Sequence, residues 1–254
     1  MSRELPILFN TDMVRAILDG LKGATRRIVK GFIPNDAIFG YTIFTPKGYI
    51  SCRGTFADGY GEKFFKLPCE PGDILYVRET WYRGLNRIMY KANYSENEKF
   101  YENGKEIQIK WHPSIHMPKE AARIFLKVND VRVERLQDIT EEQAKAEGIR
   151  EYSKDGKLWK YAVTDDWWID YHNKHRKSFL GTWWQDMPRT AKEAFHHLWN
   201  STLGRRDTLE WYANNWSGNP WVWVIEFERC ENPLLELGKE AAEHVDQDLL
   251  MPAT

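Results

Sequence analysis

The stretch Gly20-Leu21-Lys22-Gly23-Ala24-Thr25-Arg26-Arg27-Ile28 places a lysine, a hydroxyl and two arginines directly after a predicted first helix. Apolar residues at helical spacing predict that helix over residues 11 to 18, and a polar residue at positions 10 to 12 can cap it. The glycine that opens the stretch is expected to end the helix in the left-handed conformation. The remaining sequence is interpreted as a scaffold that holds this basic segment.

The chain has 254 residues, which is long enough for one domain with sizeable insertions. Its 36 basic and 37 acidic residues give a formal charge of -1. A nearly neutral protein exerts no general attraction on nucleic acid, so recognition of a nucleotide would have to be local. The 12 tryptophans are suited either to a half-buried core or to stacking on bases.

Cys52, Cys69 and Cys230 are widely spaced and form no CxxC motif, which argues against a disulfide framework and a zinc site. No apolar run approaches the roughly 18 residues that a membrane span needs. We therefore expect a soluble, cytoplasmic protein without a membrane partner.

Five further segments have strand composition, and two have the start signal of a helix. The predicted strands lie in residues 6–9, 74–81, 89–92, 121–135 and 221–228, and the capping-box spacings begin at Thr140 and Thr190. The first of the two helices ends at Glu147, which precedes Gly148. Residues 28 to 66 predict a hairpin that turns near positions 46 to 48.

Four motifs in this order resemble the ASCH domain family, whose members are small β-barrels similar to the PUA fold. The motifs are Gly20-x-Lys22-x-x-Thr25-x-Arg27, Pro71-Gly72-Asp73-x-Leu75-x-Val77-Arg78-Glu79-Thr80-Trp81, Thr140-x-x-x-Ala144-x-x-Glu147-Gly148 and Trp223-Val224-Ile225-Glu226-Phe227. The resemblance covers residues 5–30, 68–92, 111–150 and 190–229. It implies an α+β fold, a PUA-like mixed β-barrel flanked by short helices.

The same resemblance implies one ASCH domain over residues 1–230, with insertions near 31–66 and 150–188 and a C-terminal tail at 231–254. One branch of the family comprises N4-acetylcytidine amidohydrolases, which remove the acyl group from the exocyclic nitrogen of cytidine. Lys22, Thr25 and Glu147 match the functional trio of that branch. The family's arginine corresponds to Arg27, and Arg26 is an additional basic residue beside it. The branch's small members lack both insertions.

The trio offers the groups that amide hydrolysis needs. A threonine hydroxyl requires a base to take its proton, and a lysine three residues away on a helical turn would reach it. Burial and two nearby arginines would lower the pKa of Lys22, whereas Glu147 would raise it. Glu147 is expected either to orient the trio or to activate water. Taken singly, each of the three is more typical of a solvated turn or helix end, but the joint match of all three favours the catalytic interpretation.

Six further residues are candidates for substrate binding at the predicted barrel mouth: Arg78, Glu79, Trp81, Trp111, Ser114 and His116. The charged residues can bind a base edge or a phosphate, and a tryptophan can stack on a pyrimidine. The alternatives are that Arg78 and Glu79 form a structural ion pair on the rim and that His116 is an ordinary loop histidine.

His172 and His175 lie near three aspartates but lack the spacing of a metalloprotease motif, so no metal and no cofactor is expected. The resemblance favours a metal-independent amidohydrolase that acts on a small acylated cytidine. A non-catalytic RNA or modified-base binding module is the alternative, and a ribonuclease is a weaker one.

Overall fold

The computed structural model describes residues 2–84, 87–95, 98–102, 105–175, 183–204 and 208–232. These residues form a mixed α+β fold in which strands outnumber helices. The strands are β1 (Glu4–Leu8), β2 (Ala24–Ile28), β3 (Ile38–Gly40), β4 (Tyr49–Phe56), β5 (Gly59–Lys66), β6 (Ile74–Arg78), β7 (Trp81–Arg83), β8 (Ile88–Tyr90), β9 (Phe100–Glu102), β10 (Lys105–Ile107), β11 (Phe125–Arg135), β12 (Arg150–Ser153), β13 (Trp159–Ala162) and β14 (Trp221–Cys230). The helices are α1 (Thr11–Leu18), α2 (Glu141–Ala146), α3 (Asp165–His175), α4 (Trp183–Asp186), α5 (Ala191–Thr202) and α6 (Leu209–Asn214).

The chain divides into two compact units. Among the described residues, the first is drawn from those up to Phe9, from Asp73–Lys127 and from Glu228 onward, and the second from Asn10–Gly72 and Val128–Phe227. Within neither unit do the paired strands of the described residues close into a barrel.

In the first unit, β1 runs parallel to β6, which is also antiparallel to the beginning of β11. Ile7 lies opposite Val77 in this pairing, and both side chains are buried. The predicted strand over 74–81 is interrupted after Arg78, because Trp81 starts a separate strand that pairs with β8 as a hairpin. β9 and β10 form a second antiparallel pair.

In the second unit, β2 pairs antiparallel with β14, and Thr25 lies opposite Ile225. The backbone amide of Phe227 extends this pairing by donating to the Gly23 carbonyl over 2.9 Å. Because Val222 and Val224 are fully buried, β14 is a core strand that fixes the position of β2.

Side chains that the sequence singled out cap three helices of the second unit. Asn10 accepts a hydrogen bond from the Met13 amide at the start of α1. Thr140 and Gln143 form a reciprocal capping box on α2, and Thr190 caps α5. The three capping predictions are therefore confirmed. In each case a short polar side chain accepts a hydrogen bond from a free backbone amide of the first helical turn.

Residues 38 to 66 form a three-stranded antiparallel sheet in the order β3-β4-β5. The predicted turn near positions 46 to 48 lies in the connection between β3 and β4. A second hairpin, between β4 and β5, turns at Ala57-Asp58 before Gly59, whose φ is 109°. Glycine suits that turn because positive φ costs it nothing sterically.

Residues 150 to 188 contain the β12–β13 hairpin, α3 and α4. Trp168, Ala162 and Met187 form a buried cluster there. The buried Lys160 ammonium donates to the carbonyls of Gln185 and Met187, over 2.9 and 2.6 Å, and thereby fixes the end of α4. Most of the tail predicted from residue 231, at 233–254, lies outside the described residues.

Candidate active site around Lys22 and Glu147

Lys22 is positioned by the end of α1 and the beginning of β2. Gly20 adopts a φ of 72°, as expected for a helix-ending glycine, and the Lys22 amide donates to the Ala16 carbonyl over 3.1 Å. The next amide, that of Gly23, donates to the Ala146 carbonyl over 2.9 Å. Lys22 therefore pairs, as an isolated bridge, with Glu147 at the end of α2.

The approach of these two helix ends depends on Gly148. Its φ is 99°, and a Cβ built on it would lie 2.9 Å from the Cβ of Ala16. Both the conformation and the contact therefore favour glycine after Glu147.

The side chains of Lys22 and Glu147 form a buried ion pair. Lys22 Nζ lies 2.8 Å from Glu147 Oε2 and donates also to the Glu147 carbonyl oxygen over 2.8 Å. The exposed fractions of the two side chains are 0% and 3%. The structure thus joins two residues of the predicted trio that are 125 positions apart.

Arg26 occupies the other oxygen of the same carboxylate. Its Nη1 donates to Glu147 Oε1 over 3.2 Å, and its Nη2 donates to Gln143 Oε1 over 3.0 Å and lies 3.4 Å from Glu134 Oε2. Both carboxylate oxygens of Glu147 therefore accept from cationic donors, which fixes the carboxylate in place.

Burial lowers the pKa of Lys22 below its ordinary value of 10.5 and is the largest influence on it. Glu147 opposes that shift by its charge and its hydrogen bond, and Arg27 and Arg26 add smaller like-charge contributions that lower the pKa further. Burial likewise lowers the pKa of Arg27. The neutral amine that a general base requires is therefore more accessible in Lys22 than in an exposed lysine.

Thr25 does not lie on a helical turn with Lys22, so that part of the sequence interpretation is wrong. Thr25 belongs to β2 and is 1% exposed. Since side chains alternate along a strand, Thr25 and Arg27 point to one side of β2 and Arg26 to the other. The hydrogen bonds to the Glu147 carboxylate come from Lys22 and Arg26.

A cavity of about 320 Å³ lies beside Arg26, and none of Lys22, Thr25 and Glu147 is among its lining residues. Its lining consists of Gly23, Ala24, Arg26, Asn129, Glu142, Gln143, Ala146, Val224, Glu226 and Phe227. The buried Nε of Arg26 has no hydrogen-bond partner among the described residues. The volume suits a small molecule, and the amide and carboxylate groups suit a polar one.

In the first unit, Arg78 and Glu79 contact other protein groups. Arg78 Nε donates to the Met117 carbonyl over 2.7 Å, and its guanidinium also contacts the Ile115 carbonyl. Glu79 is 1% exposed and accepts two hydrogen bonds from Arg123, at 2.8 and 3.0 Å. This arrangement fits the alternative in which these charged residues have a structural role. The ion pair, however, joins Glu79 to Arg123 rather than to Arg78.

The remaining candidates of the first unit differ in exposure. Trp81 is 8% exposed and packs against Met117, and its buried Nε1 has no hydrogen-bond partner within the described part of the chain. Trp111 is half-buried beside two other aromatic rings. Ser114 is half-buried, and His116 is exposed at the end of one helical turn. Of the two tryptophans, Trp111 thus offers the more accessible ring.

His172 Nε2 lies within hydrogen-bond distance of Asp186 Oδ2, at 2.9 Å. Within the described ranges, no group of three or more His, Cys, Asp and Glu side chains has an arrangement that could hold a metal ion.

The sequence interpretation missed Gln143 and Glu134, both of which contact Arg26. The sequence identifies Gln143 only as the last residue of the capping box. That motif gives no indication that the Gln143 side chain also contacts Arg26. Alternation separates Arg26 from Arg27 only once β2 is known to be a strand, and that conformation depends on its pairing with β14.

No family model, no curated protein and no solved structure matches this chain. Within the part of the chain that the structure describes, no helix is long and apolar enough to cross a membrane.

Proposed function

We propose that this chain is an amidohydrolase of the ASCH type, with a PUA-like fold, that removes the acyl group from N4-acylated cytidine. The order of the four sequence motifs supports the family. The single observation that carries the chemistry is the buried pair of Lys22 and Glu147, with 2.8 Å between Nζ and Oε2. The absence of a pairing motif among the cysteines favours a cytoplasmic location.

The proposed reaction requires the Thr25 hydroxyl, which strand alternation places on the opposite side of β2 from Arg26, to reach the neutral amine of Lys22. The hydroxyl then attacks the acyl carbonyl carbon while its proton passes to that amine. The C–N bond then breaks, and the proton is delivered to the departing exocyclic nitrogen, which releases cytidine. Water hydrolyses the resulting threonine ester, which yields the free carboxylic acid and restores the hydroxyl. The lowered pKa of Lys22 supports its role as the base.

Glu147 has the role of orienting Lys22 in this proposal. Its two carboxylate oxygens already accept hydrogen bonds from Lys22 and Arg26, so neither is well placed to take a proton from water. Of the two roles expected for Glu147, the geometry therefore favours orientation. The cytosine ring aids departure of the amine, because it delocalises the charge that develops when the C–N bond breaks.

The test is incubation of the purified full chain with N4-acetylcytidine in the presence of EDTA, with cytidine and acetate quantified over time. We expect turnover that EDTA does not reduce. The absence of deacylation at micromolar enzyme would contradict the proposal. Lys22→Met, which nearly preserves side-chain length, should abolish turnover, and circular dichroism would verify that the variant is folded.

A non-catalytic RNA-binding or modified-base-binding module is the second candidate. The observation that favours it is the hydrogen bond from Lys22 Nζ to the Glu147 carbonyl oxygen, which is typical of a lysine that fastens a helix end. Under that account, RNA affinity would depend on salt concentration and would survive Lys22→Ala only in part. Release of fragments from single-stranded RNA would instead identify a ribonuclease.

A further inference from the structure

The strand β5 forms an open edge of its sheet. It pairs with β4 along its whole length, Gly59–Lys66, and lies at the end of the strand order β3-β4-β5. Six of its eight residues are exposed, and within the described residues no backbone group outside β4 bonds to this strand. β5 carries neither a proline nor a bulge, which are features that protect exposed edges from pairing. The edge is therefore free to accept a further strand.

The turn between β4 and β5 determines which residues present backbone groups to the open edge. Phe56 and Gly59 close a two-residue turn, so these two residues exchange both of their backbone hydrogen bonds. Hydrogen-bonded pairs then recur at every second residue of β5, because the two kinds of pair alternate along an antiparallel ladder. The remaining residues direct their amide and carbonyl groups to the open edge, and these are Tyr60, Glu62, Phe64 and Lys66.

These four side chains share one face of β5, and two of them carry opposite charges. Glu62 lies two positions before Phe64, and Lys66 lies two positions after it. An antiparallel strand of the same sequence, centred on Phe64, would therefore place Glu62 of each copy opposite Lys66 of the other. Arg53 of β4 lies opposite Glu62 on its other side, so the carboxylate would lie between two cations. The edge is thus complementary in charge to a copy of itself.

Registers centred on the neighbouring residues are less favourable. Centring the pair on Glu62 would place two carboxylates directly opposite each other, and centring it on Lys63 would do the same for two ammonium groups. Like charges in that position destabilise a sheet. Centring the pair on Gly61 or Phe65 forms no ion pair. The charges of β5 therefore select the register in which the two Phe64 residues are opposed.

We propose that a second copy of this chain pairs with β5 through its own β5, in the antiparallel register centred on Phe64. The two three-stranded sheets then form one continuous sheet. A strand of a different protein would use the same backbone groups, but the symmetric placement of the charges about Phe64 favours a second copy. Because the overlap of residues 62–66 is short, we expect a dissociation constant in the micromolar range. The inference does not rest on the proposed function.

The first measurement is sedimentation velocity of the full chain over a range of protein concentrations at low salt, in which wild type should shift from monomer to dimer. Glu62→Lys and Lys66→Glu should each weaken association at least about tenfold, because each opposes like charges at two symmetric positions. An equimolar mixture of the two variants should associate again, since each offers the other the opposite charge. Recovery in the mixture would also show that both variants are folded.

The matched control for the charge variants is Lys63→Gln. The Lys63 side chain is 51% exposed, but it lies on the other face of β5 and has no charged residue opposite it in the proposed register. The dimer affinity of this variant should therefore remain that of wild type. A strengthened dimer would mean that the pair is centred on Lys63 instead, which would contradict the proposed register.

The second measurement locates the interface by disulfide cross-linking. The two Cα atoms of a hydrogen-bonded antiparallel pair are about 5.5 Å apart, a distance that a disulfide spans. Phe64→Cys should therefore form a covalent dimer under mild oxidation. Tyr60→Cys should not, because its two copies would lie about 27 Å apart along the paired strands. Wild type measures the background from the native cysteines.

Four results would overturn the inference. They are a wild-type protein that stays monomeric up to hundreds of micromolar, a dimer that neither charge variant weakens, equal cross-linking of Phe64→Cys and Tyr60→Cys, and a monomeric chain that binds an unrelated extended peptide at β5. The last result would assign the edge to a different protein.

Discussion

Lys22 donates to Glu147 twice, through one hydrogen bond to its carboxylate and one to its carbonyl oxygen, each 2.8 Å long. Arg26 contacts the second carboxylate oxygen, so two buried cations share one buried anion. Because charges removed from water are stable only when they are paired, the free energy of this cluster depends on the carboxylate.

Glu147→Gln should lower the free energy of unfolding by about 3–5 kcal/mol, since it leaves two buried cations without their anion. The measurement is urea denaturation at neutral pH.

The matched control is Glu151→Gln. Glu151 pairs with Lys145, and these two side chains are 40% and 44% exposed. Exposed ion pairs contribute only about 0–1 kcal/mol. Equal effects of the two variants would contradict the buried-pair account.

The pH dependence of stability should reveal the lowered pKa of Lys22. Between that lowered pKa and the ordinary value of 10.5, the unfolded chain binds more protons than the folded one, so the free energy of unfolding rises with pH. Below the lowered pKa this contribution is lost.

Lys22→Met removes the titrating group. The difference in free energy of unfolding, wild type minus variant, should therefore increase as the pH is raised from neutral toward 10.5. Chemical denaturation of both proteins at several pH values measures it. A difference that falls with pH would mean that the pKa of Lys22 is raised instead.

Gly148→Ala should destabilise the junction that carries Glu147 by about 1–3 kcal/mol, because it adds a strained positive φ to a close contact. The added Cβ would lie 2.9 Å from Ala16 Cβ. Thermal unfolding measures the loss.

Gly156→Ala separates the two causes. Gly156 also has a positive φ, of 69°, but a Cβ there would meet no atom within 4 Å. Its substitution should cost only the conformational term, about 1 kcal/mol. If Gly148→Ala lowered the stability no more than Gly156→Ala does, the contact with Ala16 would contribute nothing to the destabilisation.

The helix ends of the site could be predicted from the sequence because their signals are local. A capping side chain such as Asn10 or Thr140 acts within one helical turn, and Gly20 and Gly148 meet a backbone requirement of their own position. The pairing of Lys22 with Glu147 followed from the family resemblance rather than from such a signal.

The partners of Arg26 and the place of Thr25 could not be predicted in the same way. They depend on β2 being a strand, which is set by its pairing with β14 almost 200 residues later. The basic stretch has no strong strand composition of its own, so tertiary pairing decided its conformation. By contrast, the turn between β4 and β5 at residues 57–58 has a local sequence signal, the dipeptide Asp58-Gly59, which is typical of a hairpin turn.

The most direct test of the central claim is the rate at which Thr25→Val releases cytidine from N4-acetylcytidine, relative to wild type and Thr25→Ser. Valine preserves the shape of a side chain that is 1% exposed but removes the hydroxyl, so the fold should persist. The account predicts a loss of roughly a thousandfold or more in kcat for Thr25→Val and substantial retention for Thr25→Ser. A wild-type rate in folded Thr25→Val would contradict the account.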